Sequence, residues 1–292
     1  MTTEKSMKNI VLLIFTVAFV LLAVAFLSVY FMGYRYIRSD GGVRYFGKTV
    51  HEQPTNGTLY YKNGLKGTIT KEKESSLCKI EFNNGDIYEG SLKGINRHGE
   101  GKLTCYDTGD VYTGVFENDK ITGLGVYVYE NGDKYEGMFL DGKKDGFGTF
   151  TWADGSFYHG EFKNNKRHGV GEYRISDGSV YLGAYIEDKK SGNSDVAVPL
   201  LSGGTYTGKN RLEFSNGDIY VGDFSADERT GYGEYTWSSG ERYVGEFKDG
   251  VMHGKGIYYR AGGLNPYDGY FENGNITIVG KETQKNEDNA DE

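Results

Sequence analysis

Proline is scarce in this chain, 3 of 292 residues, and glycine does not recur at every third position, so a collagen helix is excluded. Cysteine is scarcer, with two residues, and two thiols cannot form the disulfide framework of a small secreted scaffold. Cys105 shares strand parity with Gly101 and Leu103 and should face a core, whereas Cys78 precedes the first well-formed repeat. A repeat step of 24 sets Cys105 beside Glu81 and not beside Cys78, so both are read as small packed side chains and the redox compartment stays open. Excess positive charge is also missing. The formal net charge is −8, which argues against a general nucleic-acid binder. There is no HExxH, no phosphate-binding P-loop and no GxSxG elbow, so no catalytic residue, metal ligand or cofactor is assigned and the chain is not read as an enzyme.

Long apolar runs are absent except for one. Residues 10–32, IVLLIFTVAFVLLAVAFLSVYFM, are apolar apart from Thr16 and Ser28. That length spans a bilayer. Tyr30, Tyr34 and Tyr36 stand at one end, where an interfacial aromatic belt would lie. The run outlasts a signal-peptide core and continues past the small-x-small stretch Ala23-Val24-Ala25, so an uncleaved single-pass anchor is expected. Its orientation is open. Lys5 and Lys8 flank one side and Arg35, Arg38, Arg44 and Lys48 the other, a count that leans toward a cytoplasmic repeat domain, while the short amino-terminal tail favours its export.

The abundant residues are glycine, 45 against a usual share of roughly 7%, and tyrosine, 25. They recur together. Tyr-x-Gly-x-aromatic begins at Tyr112, Tyr135, Tyr158, Tyr181, Tyr220, Tyr243 and Tyr267, and the first four tyrosines are each 23 residues apart. Tyr88 begins an earlier copy with Leu92 in the aromatic place. A fixed period of this length marks a repeat architecture. In one unit Tyr135, Gly137 and Phe139 alternate onto one strand face, as do Gly146, Gly148, Phe150 and Trp152 on a second strand. DGKKD joins the two strands, and Asp154-Gly155 turns the chain into the next copy. Each unit is a β-hairpin that needs its neighbours for stability. A glycine on a strand marks a close approach, here expected of an aromatic ring from a neighbouring strand.

The same slots hold Tyr112, Gly114 and Phe116; Tyr158, Gly160 and Phe162, with Gly169 and Gly171 on the next strand; Tyr220, Gly222 and Phe224; and Tyr243, Gly245 and Phe247. These residues resemble the MORN repeat, the membrane occupation and recognition nexus family, over roughly residues 79–272. The resemblance implies an all-β repeat array, an elongated twisted antiparallel sheet of successive β-hairpins, here preceded by one amino-terminal transmembrane helix. It implies function only loosely, as a scaffold or docking platform for proteins or membranes.

The expected organisation is a tail at 1–9, the transmembrane helix at 10–33, and an irregular, degenerate capping region at 34–78. A first repeat block is expected at 79–185, then an insertion or hinge at 186–205 and a second block at 206–274, with Tyr206 restarting a truncated unit. KEKESS at 71–76 reads as a solvated loop and residues 275–292 as a disordered acidic tail. Asn56 and Asn275 each open a glycosylation-type triplet, which matters only in a eukaryotic secretory protein. His98, His168 and His253 share one slot before the second strand, but Thr122, Asp145 and Thr230 fill it elsewhere, so it reads as a turn position. An Asp145–His168 hydrogen bond between neighbouring hairpins would have no nucleophile beside it.

Charge is the more informative pattern. Arg97, Lys120, Lys143, Lys144, Lys166, Arg167, Lys189 and Lys190 fall in the loops within hairpins, and Asp107, Asp110, Glu130, Asp133, Asp154, Asp177 and Asp218 in the turns between them. In a meander these sets lie on opposite edges. The basic edge is either a row of solvated loops or a strip facing anionic lipid or an acidic partner. The reading is a membrane-anchored scaffold for an unidentified protein partner and the anionic membrane surface. The alternative is an exported module binding cell-envelope polysaccharide through aromatic grooves. Unpaired sheet ends leave a homodimer open.

Overall fold

The computed structural model describes residues 2–71 and 77–279. The loop expected at 71–76 lies outside the described residues except for Lys71, and so does the expected tail from residue 280 onward. The chain forms two compact units, residues 1–122 and 123–292.

The first unit opens with α1, Thr2–Phe31, whose segment Ile10–Phe31 is long and apolar enough to cross a membrane. The helix includes residues 2–9, expected as a tail, and stops at Phe31 because Gly33 turns the chain at φ +86°. Strands β1 (Tyr34–Arg38), β2 (Arg44–Val50), β3 (Gln53–Tyr60), β4 (Lys66–Thr70), β5 (Cys78–Phe82), β6 (Ile87–Lys93), β7 (Asn96–Thr104) and β8 (Val111–Glu117) come next, each antiparallel to the one before. The region 34–78 was expected as irregular, degenerate capping repeats; its described residues form the hairpin strands β1–β5, the geometry of degraded repeat copies and not of an irregular segment. The reason is local, since Tyr45-x-Gly47 keeps the repeat's tyrosine geometry, with its hydroxyl donating to the Lys48 carbonyl at 2.6 Å.

Strand β9 (Lys120–Val128) leads into the second unit, which holds β10 (Lys134–Leu140), β11 (Lys143–Thr151), β12 (Phe157–Lys163), β13 (Lys166–Arg174), β14 (Val180–Ile186) and the short β15 (Lys189–Ser191). Strands β16 (Val196–Pro199) and β17 (Thr205–Gly208) form a separate two-stranded hairpin. Then β18 (Arg211–Glu213), β19 (Ile219–Ser225), β20 (Glu228–Thr236), β21 (Arg242–Lys248), β22 (Val251–Tyr259), β23 (Tyr267–Glu272) and β24 (Asn275–Val279) resume the meander. Two expectations change here. Tyr206 belongs to the small hairpin and starts no repeat, and residues 275–279, expected as tail, pair with β23.

The repeat signature has a specific physical cause. The Tyr135 ring lies across the facing pair Gly137 and Gly148, where a methyl at Gly148 would sit 2.5–2.7 Å from the ring. The visitor at Gly148 thus comes from the neighbouring strand, as expected; at Gly137 it comes from the same strand. The ring's hydroxyl donates to the Met138 carbonyl at 2.9 Å, at a register shift between Gly137 and Phe139. The same i to i+3 bond recurs at Tyr88, Tyr112, Tyr158, Tyr181, Tyr220 and Tyr243. The bulge also explains the other glycine. Gly146 has φ +101° and its missing side chain would point at Met138 on the opposite face. It is therefore a bulge glycine and not a slot for an aromatic ring, a correction to the expected common face.

The phenyl rings join the tyrosines edge to face. In the second unit Tyr135–Phe162, Tyr158–Tyr185, Tyr181–Phe224, Tyr220–Phe247 and Tyr243–Phe271 meet at 4.8–5.4 Å between centroids. In the first, Phe116 sits between Tyr88 and Tyr112. We call this aromatic side the inner face. Such contacts add about 0.5–1.5 kcal/mol each beyond area burial, and they supply a core that a single sheet would otherwise lack.

The insertion is packed. Val198 is fully buried and meets Val180 and Leu182 on the outer face of the sheet, with Val196, Leu200 and Tyr206 around it. The chain returns to the meander through Asn210, also fully buried. Its Oδ1 accepts the Ala184 N–H at 2.9 Å and its Nδ2 donates to the Gly192 carbonyl at 2.9 Å.

Candidate functional site

The loop edge was the first expected site, and its bases divide into two kinds. Lys143, Lys166 and Lys189 are exposed, as is Lys120 at the start of β9. Lys143 donates to Asn164 at 3.1 Å and Lys166 pairs with Glu187 at 3.1 Å. The bases next to them in the chain, Lys144, Arg167 and Lys190, are half-buried beneath the loops. Lys144 Nζ lies 4.4 Å from the centre of the Phe150 ring, and the Arg167 guanidinium 4.8 Å from that of Tyr185. Burial holds the Lys144 and Lys190 ammonium groups below the usual lysine range. Arg97 has the same place in the first unit, 5.3 Å from the Phe116 ring and paired with Asp119 at 3.3 Å. Arg229 occupies it too, 5.0 Å from Tyr235, and was not among the expected residues. A signal for it exists: Arg97, Lys144, Arg167 and Arg229 each stand two residues before the first glycine of a second strand.

These inner bases are tied to the next hairpin. The Arg167 N–H donates to Asp188 Oδ1 at 2.9 Å, and the Asp188 N–H returns a bond to the Arg167 carbonyl at 2.9 Å. The same exchange joins Lys144 to Asn165 and Lys190 to Asp227. Asn165, Asp188 and Asp227 have φ of 72–77°, a conformation that Asn and Asp tolerate best among non-glycine residues. The turn edge is stitched in parallel. Asp133 accepts the Ala153 N–H at 2.8 Å, and Asp218 accepts the Ser238 N–H at 2.9 Å. Asp154 and Asp177 close their own turns on Ser156 and Ser179. Much of the charge contrast between the edges is therefore internal wiring of the repeat.

The histidine slot draws no ligands together. Among the described residues no group of three or more His, Cys, Asp or Glu could hold a metal ion. Asp145 Oδ2 accepts the Asn164 N–H at 3.1 Å. Cys78 is buried, Cys105 is partly so, both thiols are free, and burial raises both above the usual thiol range.

Two further surfaces emerge. On the inner face, nearer the turn edge, a row of rings runs Tyr129, Phe150, Trp152, Tyr173, with neighbouring centroids 4.8–5.7 Å apart; Phe150 is buried and the other three are partly exposed. A second row runs Phe214, Tyr235, Trp237, Tyr258 at 4.7–6.0 Å. Trp152 and Trp237 are the partly exposed members at the middle of the two rows. On the outer face the neighbouring strands β11, β12 and β13 align Thr149, His159 and Glu172. Thr149 Oγ1 and His159 Nδ1 lie 2.7 Å apart. Glu172, only 1% exposed, accepts Arg174 Nε at 2.6 Å and the Leu201 N–H at 2.8 Å. Burial holds the His159 pKa below the usual histidine value, against the pull of Glu172. This cluster seats the insertion on the sheet.

The family model described as MORN repeat matches residues 88–109, 112–134, 135–157, 158–180, 220–242 and 243–264. These matches resume after the insertion at the same tyrosines that carry the ring geometry. Among solved structures, the wild-type TCP10 domain of Danio rerio CPAP is 10% identical with a TM-score of 0.37, covering 85% of this chain and 99% of that one. The Drosophila melanogaster SAS-4 (dCPAP) TCP domain, in complex with a proline-rich motif of Ana2 (dSTIL), is 13% identical with a TM-score of 0.26, covering 73% and 90%. A search of curated proteins gave no match.

Proposed function

Starting from a chain that carries six MORN repeats, we propose a membrane-anchored scaffold that docks a protein partner on its inner aromatic face. The observation that carries this reading is the pair of aromatic rows around the partly exposed Trp152 and Trp237. Packing of the sheet is already supplied by the buried tyrosines and phenylalanines. Open Trp and Tyr rings at one surface match the residues that dominate binding hot spots. The exposed lysines Lys143, Lys166 and Lys189 border the same sheet and add attraction for acidic groups, while the inner bases are occupied by structure. Helix α1 supplies the anchor.

The test compares full-length wild type with the variant Trp152→Ala/Trp237→Ala in membranes of the source cell, using crosslinking and mass spectrometry of captured proteins. A specific partner that is lost in the variant, at unchanged thermal stability, supports the reading. An identical set of captured proteins in both would sink it. Protease accessibility of the repeats in intact cells decides between an interior partner and the exported, polysaccharide-binding alternative. Digestion from outside moves the aromatic rows toward sugar rings.

A further inference from the structure

The two aromatic rows lie beside a turn edge of a single sign. Five connections between hairpins in the second unit are residues 129–133, 152–156, 175–179, 214–218 and 237–241. They hold Glu130, Asp133, Asp154, Asp177, Asp218 and Glu241 and no Lys, Arg or His. Asp218 is buried, whereas Glu130, Asp154 and Asp177 are exposed. The bases that flank these turns already have partners: Lys134 pairs with Glu136, Arg174 with Glu172 and Arg242 with Glu234. An aromatic residue opens four of the five turns, at Tyr129, Trp152, Phe214 and Trp237. Acid and ring therefore recur together.

Several rings of these rows take cations from the chain itself. Lys144 Nζ lies 4.4 Å from the centre of the Phe150 ring, and the guanidinium groups of Arg167 and Arg229 lie 5.3 Å from Tyr173 and 5.0 Å from Tyr235. All three bases reach in from the loop end of their strands. Among the described residues Trp152, Trp237 and Tyr258 carry no such cation, and an indole is the ring that attracts one best.

The turns are evenly stepped. The Ala153 N–H donates to Asp133, the Ser176 N–H to Ser156 Oγ at 2.9 Å, the Ser215 N–H to Ser179 Oγ at 3.0 Å and the Ser238 N–H to Asp218. The third of these bonds bridges the point where the insertion leaves the sheet, so the series is unbroken there. Successive turns are two strands apart, about 9.6 Å. A polyproline II segment returns to the same face every three residues, about 9.3 Å. A β-strand, with a two-residue repeat of about 6.7 Å, does not match.

We propose that the aromatic rows dock a basic polyproline II segment of a protein partner, with a cationic side chain at every third residue. Its cations stack on Trp152 and Trp237 and meet Glu130, Asp154, Asp177 and Glu241 at the turn edge. This rests on the inner-face docking proposed above and adds the charge and the period of the segment that docks there. The exposed loop lysines stand at the opposite end of the strands.

The test titrates the full chain, held in nanodiscs of neutral phosphatidylcholine, with fluorescent dodecapeptides. The first has arginine at every third position and proline elsewhere. The second has glutamate in place of arginine, and the third has the composition of the first with its arginines adjacent. The first should bind, the second should not, and the third should bind more weakly. E130Q/D154N/D177N should weaken binding of the first roughly tenfold; the amides still accept the turn N–H bonds, and a thermal melt checks the fold. W152A/W237A should weaken it by a similar factor. E187Q/E228Q/D249N removes as much charge at the loop edge and should leave binding unchanged. The proposal is overturned by equal loss in the two acid-edge and loop-edge variants, by equal binding of the two arginine peptides, or by no binding of the first peptide. Pairing of two copies through this edge without peptide, seen as a doubled mass that E130Q/D154N/D177N abolishes, overturns it too. A captured partner that is lost in W152A/W237A and kept in E130Q/D154N/D177N leaves the docking face standing and removes this account of its ligand.

Discussion

Glu172 and Leu201 hold the insertion to the sheet: the Glu172 carboxylate accepts the Leu201 N–H at 2.8 Å while only 1% of the residue is exposed. The bond reaches from β13 to the turn of the β16–β17 hairpin. Glu172→Ala leaves that N–H and the Arg174 side chain without their acceptor. We expect a loss of about 1.5–3 kcal/mol, the range for hydrogen bonds to a charged group. Hydrogen exchange over residues 196–208 should rise selectively, and uniform exchange across the chain would contradict the assignment.

The two glycine classes should separate on substitution. Gly148→Ala drives a methyl into the Tyr135 ring, and overpacking of this kind costs about 1–3 kcal/mol. Gly155→Ala meets nothing within 4 Å but sits at φ +87°, so it should cost about 1 kcal/mol of backbone strain. Thermal melts rank the two. Equal losses would refute the ring-over-glycine account.

The inner and outer bases should separate as well. Lys143→Gln removes an exposed charge and should change stability by less than about 0.5 kcal/mol. Arg167→Ala removes the ring contact with Tyr185 and the pairing with Asp188, and we expect a loss of about 1–3 kcal/mol. Denaturant titration of each variant measures this directly.

Tyrosine ionisation should be tied to unfolding. Burial pushes Tyr45, Tyr112 and Tyr243 up to about 12 from 10.0, and Tyr88, Tyr135, Tyr158, Tyr181 and Tyr220 higher still. A raised pKa on an acid that ionises to an anion stabilises the fold below 10, and the gain is lost as pH climbs from 10 toward 12. Phenolate absorbance should therefore appear in two phases, the second coinciding with loss of the β-sheet signal. A single phase near 10 with the sheet intact would show that these rings are open to water.

His159 provides a check on the acid side. Its folded pKa is depressed by burial, so its contribution to stability is present above the usual histidine value of 6.5 and fades as pH falls below it. Its ring resonance should titrate below 6.5, and Glu172→Gln should lower the midpoint further by removing the carboxylate that opposes the shift. A midpoint that rises in this variant would contradict the placement of Glu172 beside the ring.

Much of the array could be read in advance because one local solution is used repeatedly. Tyr135, Gly137 and Phe139 announce their strand by parity, and the 23-residue interval announces its neighbour. Parity failed at Gly146, since the β10–β11 register shifts by two residues there and a backbone at φ +101° turns the Cβ direction off the alternation that period-two reading assumes. It failed again at Tyr206, whose tyrosine–glycine spacing matches the repeat and whose hydroxyl bonds the Lys209 carbonyl at 2.7 Å, yet whose strand pairs with β16. Local sequence fixes that bond but not the partner strand. The loop bases were visible as charge. That Arg167 lies against Tyr185 while Lys166 faces outward depends on which side of the loop each residue takes, and the two look alike in sequence.

The chain leaves the ladder after β15 and re-enters it at Asn210, whose side chain bridges the Ala184 N–H and the Gly192 carbonyl. Tyr181 still meets Phe224 at 5.4 Å across the gap, so the ring series does not register the excursion. The ring series thus sets no length for the segment between exit and entry, which is held instead by the Val198 packing and the Glu172–Leu201 bond. The tip of its hairpin is a ready-made graft point: foreign sequence placed between Ser202 and Gly203, beyond the Leu201 N–H that Glu172 holds, should be carried as a passenger by an otherwise undisturbed scaffold.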